Sequence, residues 1–133
     1  MIYFFDTDMC IYYLVGKYPR LFSKLLSNKP DNIKIPAIVK TELIYSAEKS
    51  IKREDNLSKV SSFLLPYEIV PFDSTGADYY GKIRMKLEKN GTLIGPNDLL
   101  IAAIVMTKNA VLVTNNTREF SRVEGLQIEN WTI

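Results

Sequence analysis

Short apolar runs that stop abruptly in polar residues alternate along this chain with longer stretches whose apolar positions recur at helical spacing. Ile2–Phe5 is apolar and ends at Asp6, which predicts a buried first strand. Helical turns are expected over Cys10–Val15 and Leu21–Leu26, followed by loop chemistry in Asn28-Lys-Pro-Asp-Asn32. Ile33–Ile35 reads as a brief strand stopped by Pro36. From Ala37 to about Lys52, the residues Val39, Leu43, Ala47 and Ile51 recur at every fourth position, the mark of an amphipathic helix. A further helix is expected over Glu54–Leu65, stopped by Pro66. Glu68–Val70 predicts a strand, and Asp73-Ser-Thr-Gly a cap opening a helix that ends near Asn90-Gly91.

Asp98–Thr107 differs from these amphipathic stretches. Leu99 to Met106 is apolar on every side, which predicts a helix packed between a sheet and other helices. Val111–Val113 is a strand that again ends abruptly, in Thr114-Asn-Asn. Leu126–Ile128 is the last strand, with Trp131 as its furthest reach. Apolar strands alternating with helices indicate an α/β domain with a mainly parallel sheet. The chain has 133 residues, which suits one domain spanning 1–133 without staples, and no repeat or linker interrupts it.

Composition sharpens the picture mainly by elimination. The chain has no histidine and one cysteine, Cys10, so Ser–His–Asp and Cys–His nucleophiles built within the chain, intrachain disulfides and thiolate–imidazole zinc sites are all excluded. A metal site must then be built from oxygens, which suits Mg²⁺, Mn²⁺ or Ca²⁺. The start, MIYFFDTD, lacks the positive region and length of a signal peptide or membrane span, so a cytoplasmic protein with no membrane partner is expected. Net charge is +2, which permits an anionic partner without requiring one.

In open parallel α/β sheets, ligands bind beyond the carboxyl ends of the strands. Asp6 and Thr114–Asn116 sit at two such ends, Asp98 in the first turn of the apolar helix, and Glu42 in the second turn of its own helix. In a doubly wound topology these positions meet at one edge, where three carboxylates repel one another unless a cation joins them. Each also has an ordinary structural explanation. Asp6 can cap the following segment, Asp98 can complement a helix dipole, Glu42 can be a solvated glutamate, and Asn116 with Glu119 fits a capping pattern.

FFDTDMCIYYL, KTELIYSAEKS and the stretch from Gly91 to Trp131, GTLIGPNDLLIAAIVMTKNAVLVTNNTREFSRVEGLQIENW, together resemble the PIN-domain family, and within it the VapC-type toxins of toxin–antitoxin pairs. The resemblance implies a three-layer α/β/α sandwich around a mainly parallel sheet. It also implies a ribonuclease using Mg²⁺ or Mn²⁺ on an acidic cluster that falls on Asp6, Glu42 and Asp98, with Asn116 at a fourth position. Many relatives carry Asp where this chain has Asn116, and Asn where it has Asp8. Thr7 and Asp8 are expected to support the site. The same resemblance implies an RNA substrate such as tRNA, a cognate antitoxin and a homodimer. The apolar excess of Ile11, Tyr12, Tyr13, Leu14, Tyr18 and Leu21 offers a surface for a partner, with packing as the alternative.

The implied reaction is phosphodiester hydrolysis, with metal lowering the pKa of water in a site without histidine. Thr114, Asn115 and Arg118 lie at the same corner, and Arg118 could hold a phosphate; Lys40, Arg84 and Arg122 are further candidates. Two other readings stand beside this one. Asp6-Thr7-Asp8 fits the start of a haloacid-dehalogenase-type phosphatase, with Asp6 as nucleophile and Thr114 binding phosphate. A receiver-like module, or a PIN domain that binds RNA without cutting it, is the non-enzymatic alternative.

Overall fold

The computed structural model describes residues 1–133. Five parallel strands make one sheet: β1 (Tyr3–Phe5), β2 (Ile33–Pro36), β3 (Glu68–Val70), β4 (Val111–Val113) and β5 (Gln127–Glu129). Their order is β3-β2-β1-β4-β5, so the chain winds outward from β1 first to one side and then to the other. Seven helices connect and cover them: α1 (Thr7–Val15), α2 (Pro19–Leu26), α3 (Ala37–Glu48), α4 (Arg53–Leu64), α5 (Ser74–Lys89), α6 (Pro96–Thr107) and α7 (Thr117–Phe120). Crossovers wound in both directions from a central strand place helices on both faces, giving the α/β/α sandwich that the family resemblance implies around the parallel sheet that the alternating pattern predicts.

Strands β1 and β4, at the middle of the sheet, are buried on both faces, which is why they read as unbroken apolar runs. Phe4, Phe5, Leu112 and Val113 have no exposed surface. Five of the six residues from Leu99 to Ile104 are core, with Leu100 half-buried, so α6 is the buried helix its sequence describes. Trp131 lies just past β5 and is buried edge-on against Tyr3 and Phe5, with ring centroids 5.0 and 5.4 Å away.

Three boundaries depart from the sequence pattern for local reasons. α1 begins at Thr7, three residues before the apolar run at Cys10, because the Asp6 side chain caps it. α3 ends at Glu48, and Ile51 is fully exposed rather than continuing the buried stripe. There the Ser50 amide and hydroxyl both donate to the Ala47 carbonyl, and the Asn56 side chain donates to the Ser50 hydroxyl, tying the end of α3 to α4. Leu21 belongs to the core and is no part of an apolar surface; Ile11, Tyr12, Tyr13, Leu14 and Tyr18 are half-buried against that core. No helix is long and apolar enough to cross a membrane.

The register of β1 and β4 positions the site. Phe5 pairs with Val113, so the next residues, Asp6 and Thr114, emerge side by side at the carboxyl edge where the winding reverses.

Candidate active site

Asp6 leaves β1 with almost no exposure, and both its oxygens are held. Oδ1 accepts the Met9 backbone N–H at 3.0 Å, so the capping role is real; Oδ2 accepts the Thr114 hydroxyl at 2.6 Å. Thr114 Oγ1 in turn accepts the Asn116 N–H at 2.9 Å. That hydroxyl is therefore committed to positioning Asp6 and the β4 corner, which removes the phosphate-binding role that a phosphatase reading gives it. Glu42, on α3, accepts the Thr7 hydroxyl from the first turn of α1. Asp98 enters from the first turn of α6. Asn116 stands before α7, yet its side chain makes no capping bond; its amide donates to Glu119 Oε2 at 2.8 Å.

These groups converge on a recess of about 140 Å³ lined by Asp6, Thr7, Asp8, Glu42, Asp98, Asn116 and Phe120. No lysine or arginine is among them, and the electrostatics register the imbalance. Burial foremost pushes the Asp6 carboxyl up to about 7, despite the hydrogen bonds from Thr114 and Met9, and Asp8 and Asp98 add to the rise. Asp98 is pushed up to about 6, by burial first and then by the Glu119 and Glu42 carboxylates, with Asp8 contributing. Such shifts mark anionic forms that lack an opposite charge.

The predicted trio of Asp6, Glu42 and Asp98 is thus brought together, with Thr7, Asp8 and Asn116 beside it. No three carboxylates stand ready to grip a metal ion as they are; Glu42 is turned toward Thr7 and Glu119 toward Asn116. Asn115 stands outside the lining, at its edge, with its amide 3.5 Å from the Tyr12 hydroxyl. Arg118 is exposed and lies outside the lining, as do Lys40 and the remaining basic candidates. Arg84 pairs with Glu88, and the Arg122 guanidinium donates to the Leu93 carbonyl.

Glu119 is the acid that sequence reasoning missed as chemistry. It sits in the single turn of α7, three residues after Asn116 and close enough to Asp98 to raise its pKa. The Asn-x-x-Glu spacing carried the signal, but that spacing reads equally as a cap.

The PIN-domain family profile matches residues 3–126. Ribonuclease VapC2 of Rickettsia felis is 44% identical to this chain, with 98% of each covered. The tRNA(fMet)-specific endonuclease VapC of Salmonella typhimurium is 38% identical, with 95% of each covered. The crystal structure of VapBC2 from Rickettsia felis bound to a promoter DNA fragment contains a chain that matches with a TM-score of 0.93 at 42% identity, covering 98% of this chain and 99% of that one. With a shared fold, near-complete coverage and the carboxylate recess at the expected edge, this chain belongs to the PIN-domain family and, within it, to the VapC ribonucleases.

Proposed function

We propose that this protein is an endoribonuclease that hydrolyses tRNA with Mg²⁺ or Mn²⁺ held by Asp6, Glu42 and Asp98, and that it acts in the cytoplasm as the toxin of a toxin–antitoxin pair. The observation that carries this reading is the uncompensated negative charge of the recess, where Asp6 and Asp98 are pushed up to about 7 and about 6 with no cationic side chain in reach. The donor set is entirely carboxylate, hydroxyl and amide oxygen, which fits a hard divalent cation. A bound ion would supply charge against the phosphate and a more acidic water.

The chain's own residues do the positioning. Met9 N–H and Thr114 fix both oxygens of Asp6, Thr7 orients Glu42, and Asn116 holds Glu119 beside Asp98. Glu119 adds a further carboxylate beside Asp98, as Asp8 does within the lining, and Asn116 is its neutral support. A transfer RNA is favoured as substrate because relatives 38% and 35% identical carry the name tRNA(fMet)-specific endonuclease.

A toxin of this kind works as a homodimer and is restrained by a partner. Related chains have been solved in VapBC complexes. A cleft of about 250 Å³ between α1, α3 and α4, with Ile11, Leu14, Leu43 and Val60 in its walls, suits the apolar anchors of an antitoxin tail. A basic side chain from that tail would offset the recess charge. The phosphatase reading has no remaining support, since Thr114 is committed elsewhere and the family is different.

The direct test is cleavage of purified tRNA. Cutting in Mg²⁺ or Mn²⁺ that stops with EDTA is expected, together with slowed bacterial growth on expression of the wild type and not of Asp6→Asn. Cutting that persists in a chelator would overturn the metal reading. RNA binding without cleavage in any divalent ion would favour the non-cutting alternative.

A further inference from the structure

Every charged side chain lining the recess is acidic, so a polyanionic substrate must be held by groups outside it. One cluster at its edge is built for this by the end of α1. Gly16 adopts a φ of +70°, and its N–H donates to the Tyr13 carbonyl at 3.1 Å while the Lys17 N–H donates to the Tyr12 carbonyl at 3.0 Å. This is the bond pair of a Schellman turn, and it folds the residue after the glycine back over the last helical turn. Lys17 Nζ accordingly lies 5.4 Å from the ring centroids of both Tyr12 and Tyr18. Tyr18, in extended backbone before Pro19 opens α2, brings its ring edge-on to Tyr12, with centroids 4.9 Å apart at 80°.

The cluster adjoins the recess. The Tyr12 hydroxyl is 3.5 Å from the Asn115 amide, beside Asn116. Burial first, and then the Asp8 carboxylate, pushes the Tyr12 phenol up, which places it within the field of a recess acid. Lys17 is exposed and forms no ion pair, whereas Lys34, Arg53, Lys59, Arg84 and Lys86 all do. An exposed lysine over tyrosine rings is weakly held by the ring faces and is free to turn to a phosphate.

We propose that Tyr12, Tyr18 and Lys17 form a stacking platform for a nucleotide of the RNA substrate next to the scissile phosphate, with the base on the tyrosine rings and a phosphate on the Lys17 ammonium. This rests on the ribonuclease reading above and names the groups that hold its substrate. Aromatic faces joined to a free cation are the usual means of gripping single-stranded nucleic acid, and stacking tolerates any base. Charge favours RNA over an antitoxin tail at this spot: a basic side chain drawn to the recess is repelled by Lys17, whereas a phosphate repelled by the recess is drawn to it.

The test is binding of fluorescently labelled tRNA to the Asp98→Asn protein at several salt concentrations. Adding Tyr12→Leu or Tyr18→Leu should weaken binding about tenfold each, and Tyr12→Phe, which keeps the ring, should restore most of the affinity. Lys17→Gln, at an exposed position that does not endanger folding, should lower the slope of log affinity against log salt by about one. With Asp98 intact, Tyr12→Leu should raise KM far more than it lowers kcat. Unchanged affinity and salt slope across the set would overturn the platform and leave the nuclease reading standing. Failure of the Asp98→Asn parent to bind tRNA would overturn both. Weakened binding of a cognate antitoxin with RNA affinity intact would give the surface to a protein instead.

Discussion

Two hollows of this molecule invite opposite conclusions. The roomier one, about 380 Å³, lies between α5, the end of α6 and the turn after α7, on a floor that includes Ile83, Leu87, Met106 and Val123. The acidic recess holds only about 140 Å³ and has a single apolar residue, Phe120, in its lining. Size and apolarity alone would choose the first. Yet its charges stand in solvent: Lys82 and Lys86 are exposed, Lys86 pairs with Glu124, and Arg122 donates to the Leu93 carbonyl. In the recess the fold does the reverse, gathering carboxylates at the turning point of the sheet and burying Asp6 among them with no cation alongside. A cleft whose charges stay in solvent is stable as it stands. One whose charges are unbalanced lowers stability unless a ligand completes it, and that makes the smaller hollow the functional one.

Substitutions in the two hollows should part sharply. Asp6→Asn, Glu42→Gln and Asp98→Asn are each expected to reduce tRNA cleavage beyond the roughly 10–100-fold that follows loss of a supporting bond to a metal ligand. Their folds should survive, with metal-free melting temperatures equal to or above the wild type, because each removes a repelling charge. Tyr79→Ala and Lys86→Ala, in the roomier cleft, should cut at the wild-type rate. The comparison breaks if all three acidic variants unfold or cut normally, or if the cleft variants are the ones that lose activity.

Within the recess, Glu119 and Asn116 offer a finer division. Glu119 carries charge toward Asp98, and Asn116 only holds Glu119 through a 2.8 Å hydrogen bond. Glu119→Gln should therefore lower kcat by about tenfold, the range in which a group beside a metal ligand acts, and Asn116→Ala by less. Steady-state kinetics on both variants, with melting curves as a control for folding, checks the order. A greater loss at Asn116 would make the amide, rather than the glutamate, the fourth member of the cluster.

That division also marks where the sequence stopped being legible. The strands at Ile2–Phe5 and Val111–Val113 and the buried helix after Asp98 could be read because burial on both faces leaves unbroken apolar runs ended by polar residues. From those ends, the meeting of Asp6 with Thr114 follows once the strand order is known; the sequence offered a doubly wound topology only as a condition, and the order comes from the structure. Side-chain hydrogen bonding was not legible. The end of α3 at Glu48 depends on Ser50 and Asn56 reaching one another across a turn, while Ile51 continues a spacing that promises burial and is fully exposed. Glu119 was hidden for a related reason: α7 is one turn long, too short for periodicity to register, and its acid acts on a group 21 residues away on another helix.

The most direct measure of the contrast is the dependence of stability on pH. The Asp6 carboxyl rises from 3.8 to about 7 on folding, and Asp98 from 3.8 to about 6. A carboxyl whose pKa is raised in the folded state binds its proton more tightly there than in the unfolded chain. Its contribution to stability is therefore whole below pH 3.8 and is lost as pH climbs through about 6 for Asp98 and about 7 for Asp6. Every tenfold gain in proton affinity on folding corresponds to about 1.4 kcal/mol, so metal-free protein should melt at a lower temperature at pH 8 than at pH 5. Glu68 has the opposite sign, lowered by Lys34, but it titrates below 4.5 on an exposed pair and adds little in this window. Asp6→Asn should flatten the slope, and Lys86→Ala should keep it. Mn²⁺ at about a hundred times its dissociation constant should add about 2.7 kcal/mol, most of it at the higher pH where the ligands are already deprotonated. Calorimetry of the wild type in EDTA decides the matter. Stability that rises from pH 5 to 8, with the same slope in Asp6→Asn, would mean that the recess charges are already compensated and that it stands closer to the roomier cleft than its lining implies.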